Sequence, residues 1–259
     1  MPPQPLDAIP LWGILVAVTA MLAAGFEGGF RFGRWRRAHV PEEREQVAGA
    51  MVASILGLVA LVLGFTFSLA AARYDARRLG VLEEANAIGT TWLRTRFLPK
   101  PQGDESARLL REYVDVRLQG IREGQTAKAI ARSNELHFLL WEQAVASREA
   151  ADTVSTGLYI QSLNQVIDLH ATRLLDARSR IPPVLWAALY FLATLGTASV
   201  GYTAGLIGQH RSPVAIALIL SFACVLYLIA DLDRSQEGLI RVSQKPMQEL
   251  QESIKEVQP

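Results

Sequence analysis

The chain of 259 residues reads as an all-α, polytopic membrane protein with four transmembrane helices and an extramembrane helical bundle between the second and third. Four long apolar segments carry this reading: Leu11–Phe30, Ala48–Ala72, Pro182–Ile207 and Pro213–Ala230. A helix needs about 20 apolar residues to cross the hydrocarbon core. None of the segments alternates polar and apolar residues as a barrel strand does, so each must satisfy its backbone as a helix. The second observation is that charge is nearly absent from these segments and concentrated between them. Third, residues 73–181 carry apolar side chains at three- and four-residue spacing, the mark of amphipathic helices. The expected organisation is residues 1–72 for helices one and two, 73–181 for the helical domain, 182–231 for helices three and four, and 232–259 for a tail.

Half of the residues are apolar and the formal net charge is +1, so no basic stripe invites nucleic acid. A soluble protein with four buried helices fits poorly, because Val47–Ala72 is a charge-free stretch longer than a core helix needs.

Before the first segment, Met1–Pro10 has no Lys or Arg, while Arg31, Arg34, Arg36 and Arg37 follow it. That order suits a retained anchor rather than a cleaved leader. Glu27 is the one acid inside the apolar part, and it has two readings. It is a candidate ion-entrance residue, or it forms a helix-end ion pair with Arg31 one turn away. The glycines of Gly25–Gly33 lie at a helix end in an apolar run and make no phosphate cradle.

The second segment carries a stripe of small residues, Gly49, Ala53, Gly57, Ala60, Gly64 and Ser68, spaced by three or four. Small residues let helix backbones approach closely within or between subunits. Alternatively the stripe faces a narrow pore, with Leu63 and Phe67 as apolar constrictions. Ala53, Gly57, Ala60, Gly64 and Phe67 are the candidate pore or packing residues.

No Gly-Pro punctuation separates this segment from Arg73–Phe97, which reads as its continuation. Val81, Leu82, Ala85, Ile88, Gly89 and Trp92 define an apolar face, with Arg73, Arg77, Glu84, Thr91 and Arg94 expected opposite. Asn86 and Thr90 border the apolar face. They suggest a polar clamp to the last middle-domain helix through Arg173 or His170, or a polar lining along a symmetry axis. With Arg78, Glu84 and Arg94 they form the candidate vestibule or clamp set. Leu98-Pro99-Lys100-Pro101 breaks the helix, and Gln102-Gly103-Asp104 forms a turn. Further helices are expected near Glu105–Glu123, from Gly124 to about Ala146, and over Ala151–Arg178. Pro182-Pro183 can then start the third membrane helix. At the end of the fourth, Asp231, Asp233 and Arg234 either line an ion entrance or bond one another and nearby backbone.

Cys224 is the one cysteine, so no internal disulfide is possible. His39, His137, His170 and His210 are scattered without metal-ligand spacing, and no P-loop, G-x-S-x-G or dinucleotide fingerprint occurs. No catalytic residue, metal site or cofactor is therefore expected. Orientation is contested. The first-loop arginines put that loop in the cytoplasm and the helical domain on the extracytoplasmic side. Arg73, Arg77, Arg78, Arg173, Arg178 and Arg180 argue the reverse. Giving precedence to the first helix favours the extracytoplasmic arrangement, and the conflict stays open at this level.

Tyr74-Asp75-Ala76-Arg77-Arg78, Glu84-Ala85-Asn86-Ala87-Ile88-Gly89-Thr90 and Leu98-Pro99 resemble the signature of a bacterial, bestrophin-like family of membrane proteins of unknown function. Asp231-Leu232-Asp233-Arg234 and Gly238-Leu239-Ile240-Arg241-Val242-Ser243, followed by Pro246, resemble that family's C-terminal signature, although Ser235 stands where the pattern has proline. The resemblance runs from about Glu27 onward. It implies a multi-pass protein of the bacterial cell membrane. By analogy with bestrophins it implies a homo-oligomeric ion channel, a second membrane helix lining an apolar neck, and a cytoplasmic helical region. The acidic calcium clasp of bestrophins is not found here. The alternative function is a membrane-anchored sensor or interaction module acting through its helical domain.

Overall fold

The structure is a computed structural model that describes residues 9–39, 45–208, 213–234 and 238–256. Among these residues there is no strand. The helices are α1 (Leu11–His39), α2 (Glu45–Arg94), a 3-10 turn at Thr95–Phe97, α3 (Gln102–Arg122), α4 (Thr126–Ala150), α5 (Val154–Arg178), α6 (Pro183–Ile207), α7 (Pro213–Asp233) and α8 (Lys245–Glu256). Four helical stretches are long and apolar enough to cross a membrane. His210 and Ser235 lie outside the described residues.

The chain divides into two compact units. The membrane unit takes residues up to Tyr74 and Arg180–Arg241; the helical unit takes Asp75–Ser179 and the residues from Val242. The expected continuation of the second segment is present as a single α2 of 50 residues.

The membrane unit is built on a seam between α1 and α6. Gly25, Gly29 and Gly33 recur every four residues on α1, and Gly201 and Gly205 do so on α6. A methyl group at Gly29 would collide with the Ala198 carbonyl, and one at Gly33 with that of Tyr202. From the other side, Gly201 meets the Phe26 carbonyl and Gly205 that of Phe30. The two backbones touch along this line, which small residues alone permit. The α1 glycines are therefore not only a helix end, as their place in the sequence suggests, but a backbone-to-backbone packing surface. Around the seam, Ile14, Val18, Leu22 and Phe26 of α1 pack with Trp186, Leu189 and Ala193 of α6 and Ala223, Leu226 and Ile229 of α7. From α2, Val59, Leu63 and Ala70 join this core. Pro183 starts α6, and Gly208, at φ +74°, ends it in the left-handed conformation that glycine adopts without strain.

In the helical unit α2 contributes Ile88 and Trp92, α3 contributes Leu109, Leu110 and Tyr113, α4 contributes Leu136 and Leu140, and α5 contributes Tyr159, Leu163 and Val166. Met247 and Ile254 of α8 close the core. Helix α5 starts later than the sequence suggests, because Thr153 caps it: its Oγ1 accepts the Thr156 N–H at 3.2 Å.

Gly201→Ala is expected to destabilise the solubilised protein by roughly 1–3 kcal/mol through overpacking of the seam. Gly57→Ala, where an added Cβ meets nothing within 4 Å in the subunit, is expected to leave subunit stability unharmed. Denaturant unfolding of both variants in detergent checks the contrast.

Candidate functional site

Three groups of residues are candidates, and the fold sorts them. The first is the small-residue stripe of α2. Ala53, Gly57, Ala60 and Gly64 are exposed, and Cβ atoms built on Gly49, Gly57 and Gly64 meet open space. Phe67 is 40% exposed on the same side. The core side of α2 is set by Val59, Leu63, Thr66 and Ala70. The stripe is thus not the intrasubunit packing surface. Leu63, expected as a constriction beside Phe67, is instead a core residue at 5% exposure.

The second group surrounds Glu84. Expected on the solvent side, Glu84 is fully buried, as is Thr91, and Arg77 is nearly so. They fall within the arc of Val81, Ile88 and Thr95, which are buried as well. Two other helices, α3 and α5, reach the carboxylate. Tyr113 of α3 donates its hydroxyl to Glu84 Oε1 at 2.6 Å. Arg117 of α3 reaches Oε2 at 3.4 Å, and Arg173 of α5 pairs with the same oxygen. His170 of α5 lies 3.0 Å from the Tyr113 hydroxyl through Nδ1. It is 3.9 Å from Glu84, too far to hydrogen-bond the carboxylate directly. His137 of α4 completes the cluster, its ring centroid 4.9 Å from those of both Tyr113 and His170.

The bonding fixes protons. A phenol has one hydrogen, and here it goes to Glu84, so His170 Nδ1 must carry its own hydrogen to meet the Tyr113 oxygen. Burial disfavours a charged Glu84, yet Arg117, Arg173 and the Tyr113 hydroxyl that His170 orients outweigh it and hold the carboxyl well below its ordinary range. Burial, reinforced by the charge on Glu84, pushes the Tyr113 hydroxyl well up. Burial, His170 and Arg117 push His137 down to about 4, against the pull of Glu84.

Asn86 and Thr90 lie on the exposed side, as does Arg78. The contact to α5 through Arg173 and His170 is made by Glu84 rather than by Asn86. Arg94 adds a second link, donating to the Leu158 carbonyl at 2.6 Å. His137 and His170, far apart in sequence, pair ring to ring, and no spacing in the chain signals it.

The third group ties chain ends together. Asp231, fully buried, accepts the N–H groups of Leu239 and Ile240 at 2.9 and 3.0 Å. Gly238, at φ +99°, lets the chain turn over this carboxylate, where a side chain would collide with Oδ1. Asp233 Oδ1 accepts the Ile181 N–H at 2.9 Å before α6, and Arg180 and Arg73 lie 3.7 and 4.0 Å from its carboxylate. Arg234 donates to the Ile9 carbonyl at 2.8 Å. These groups bond backbone and one another. Glu27 pairs with Arg31 at 2.9 Å, on an exposed part of α1.

Fold and side-chain pattern define a polytopic, all-helical membrane protein with a helical unit inserted between its two pairs of membrane helices. Residues 11–247 match the Bestrophin-like domain, and the chain belongs to that family. Its fold is similar to that of a point variant of a bacterial bestrophin homolog from Klebsiella pneumoniae, with a TM-score of 0.70 at 13% identity, covering 94% of this chain and 97% of that one. The zinc-phased structure of the Klebsiella homolog gives 0.67 at 15% identity, covering 93% and 94%. A variant described as a membrane protein gives 0.68 at 14%, covering 95% and 96%. No curated protein matches the chain.

The cluster makes stability depend on pH in a set direction. The unfolded chain protonates His137 near its ordinary 6.5, whereas the folded chain does so only near 4. Stability is therefore lost as pH falls through that window. Glu84, ionised in the folded chain far below its ordinary 4.5, adds a further loss below that value. The melting temperature of the solubilised protein is expected to drop steadily on acidification from neutrality. In His137→Gln the decline between about pH 6.5 and 4.5 should flatten while the drop below it persists; a flat wild-type profile would contradict the assignment.

Proposed function

We propose that the protein assembles as a homo-oligomeric ion channel in a bacterial cell membrane, with α2 nearest the axis. One observation carries this reading. The small-residue face of α2 is long, apolar and open in the single subunit, while the close packing within the subunit is made elsewhere, by α1 and α6. Several copies of α2 could bring such faces together around an axis, leaving Phe67 as the bulkiest side chain on the line. By the 3.6-residue repeat, Arg78, Leu82 and Asn86 continue the same stripe into the extension, which makes them the vestibule residues of this reading, flanked by Thr90. Glu84 and Arg94 face the other way and hold the extension to its bundle. Membership of the bestrophin-like family supports the reading, since bestrophins conduct ions.

Phe67→Ala should widen the narrowest apolar point and raise unitary conductance of the purified protein in planar bilayers. Conductance equal to wild type, or no current from either protein, would contradict the proposal.

A further inference from the structure

The Glu84 cluster holds an excess of positive charge and a group of polar atoms with nothing to bond. Two guanidiniums, Arg117 and Arg173, face one carboxylate, so the centre carries one net positive charge with both histidines neutral. The buried polar atoms without a hydrogen-bond partner among the described residues include four from this part of the bundle: Arg117 Nε, Ser133 Oγ, His137 Nε2 and His170 Nε2. All four side chains are more than nine-tenths buried; Ser133 is 0% and His170 3% exposed. Buried polar groups are ordinarily satisfied, so four orphans in one place call for a ligand or a water.

They come from three helices at one level of the bundle. In the α3–α4 hairpin Gly120 lies against Ala129 and Tyr113 against His137. That antiparallel register sets Arg117 level with Ser133, one turn from His137 on α4. His170 of α5 meets the His137 ring edge to face. His137 and His170 are thus in ring contact, with Arg117 and Ser133 at the adjoining level of the hairpin, and two of the four orphans, a guanidinium N–H and a hydroxyl, are donors in every protonation state.

We propose that Arg117, Ser133, His137 and His170 hold a small inorganic anion of the halide class, taken up together with a proton. The anion's charge offsets the proton taken up with it beside the surplus guanidinium, and the anion accepts hydrogen bonds that no protein group among the described residues accepts. The proton follows from the bonding already fixed. His170 carries its hydrogen on Nδ1, so its neutral ring offers a bare Nε2, which can approach an anion only after protonation. The charged and titratable groups facing the pair are Glu84 from α2, Tyr113 and Arg117 from α3, and Arg173 from α5. Of these only Glu84 is negative, and its charge is already matched. This site lies within the helical unit and does not depend on the channel reading.

The test uses the full-length protein in detergent, melted in sodium gluconate and in sodium bromide at matched ionic strength, on either side of the ordinary histidine value of about 6.5. Bromide should raise the melting temperature saturably over gluconate. Its affinity should strengthen on acidification by up to about tenfold per pH unit, the limit for one proton taken up. Ser133→Ala removes an orphan hydroxyl and should fold at least as well as wild type in gluconate, yet lose most of the bromide shift. Crystals grown with bromide should show an anomalous peak within hydrogen-bond reach of Arg117 Nε and Ser133 Oγ. Equal melting in both salts at both pH values would overturn the proposal, leaving an internal water as the partner. So would a shift that survives in Ser133→Ala, or bromide peaks found only outside the cluster.

Discussion

The backbone contact between α1 and α6 sets the terms for the rest of the membrane unit. In lipid there is little hydrophobic gain in bringing helices together, so van der Waals fit decides which surfaces pair. Glycines on α1 and α6 let carbonyls approach where any side chain would collide. With α7 packed against α1, these helices form a subunit core that α2 joins through the face of Val59, Leu63 and Ala70, with Ile55 and Val62 beside it. The side of α2 with the most small residues is left over. A surface that can pack closely but has no partner within its own subunit is what an assembly of identical chains would use.

The second organising element is a buried carboxylate. Glu84 would be costly to bury alone, and it is tolerated because Tyr113, Arg117 and Arg173 supply bonds and charge from two other helices. Removing one partner would strand the others, so the cluster fixes how α2 is rotated within its bundle. In the membrane unit, Asp231 and Asp233 play a comparable part with backbone N–H groups from the tail and from the start of α6. The C-terminal signature thus has a physical content: an acid that collects two N–H groups, and a glycine that lets the chain fold over it.

Much of this was legible in the sequence. The four apolar segments gave the membrane helices, the missing punctuation after Ala72 gave the continuous α2, and the signature residues gave the family. The site was read less well, for identifiable reasons. Glu84 was placed outward because it is charged, although Val81 and Ile88, three and four residues away, set it on the buried face. The α1 glycines were read for what they could bind rather than for what they could approach, since a seam needs a partner helix that sequence alone does not supply. His137 and His170 meet through the register of α4 against α5, which depends on where Thr153 starts α5. No spacing rule encodes that register.

In the proposed assembly the open face of α2 is turned toward other copies of the chain. The mass of the complex released from mild detergent, measured by native mass spectrometry, tests this most directly. A closed ring of at least four subunits is the predicted result, because only then do several α2 helices surround an axis. A monomer or a simple dimer would contradict it.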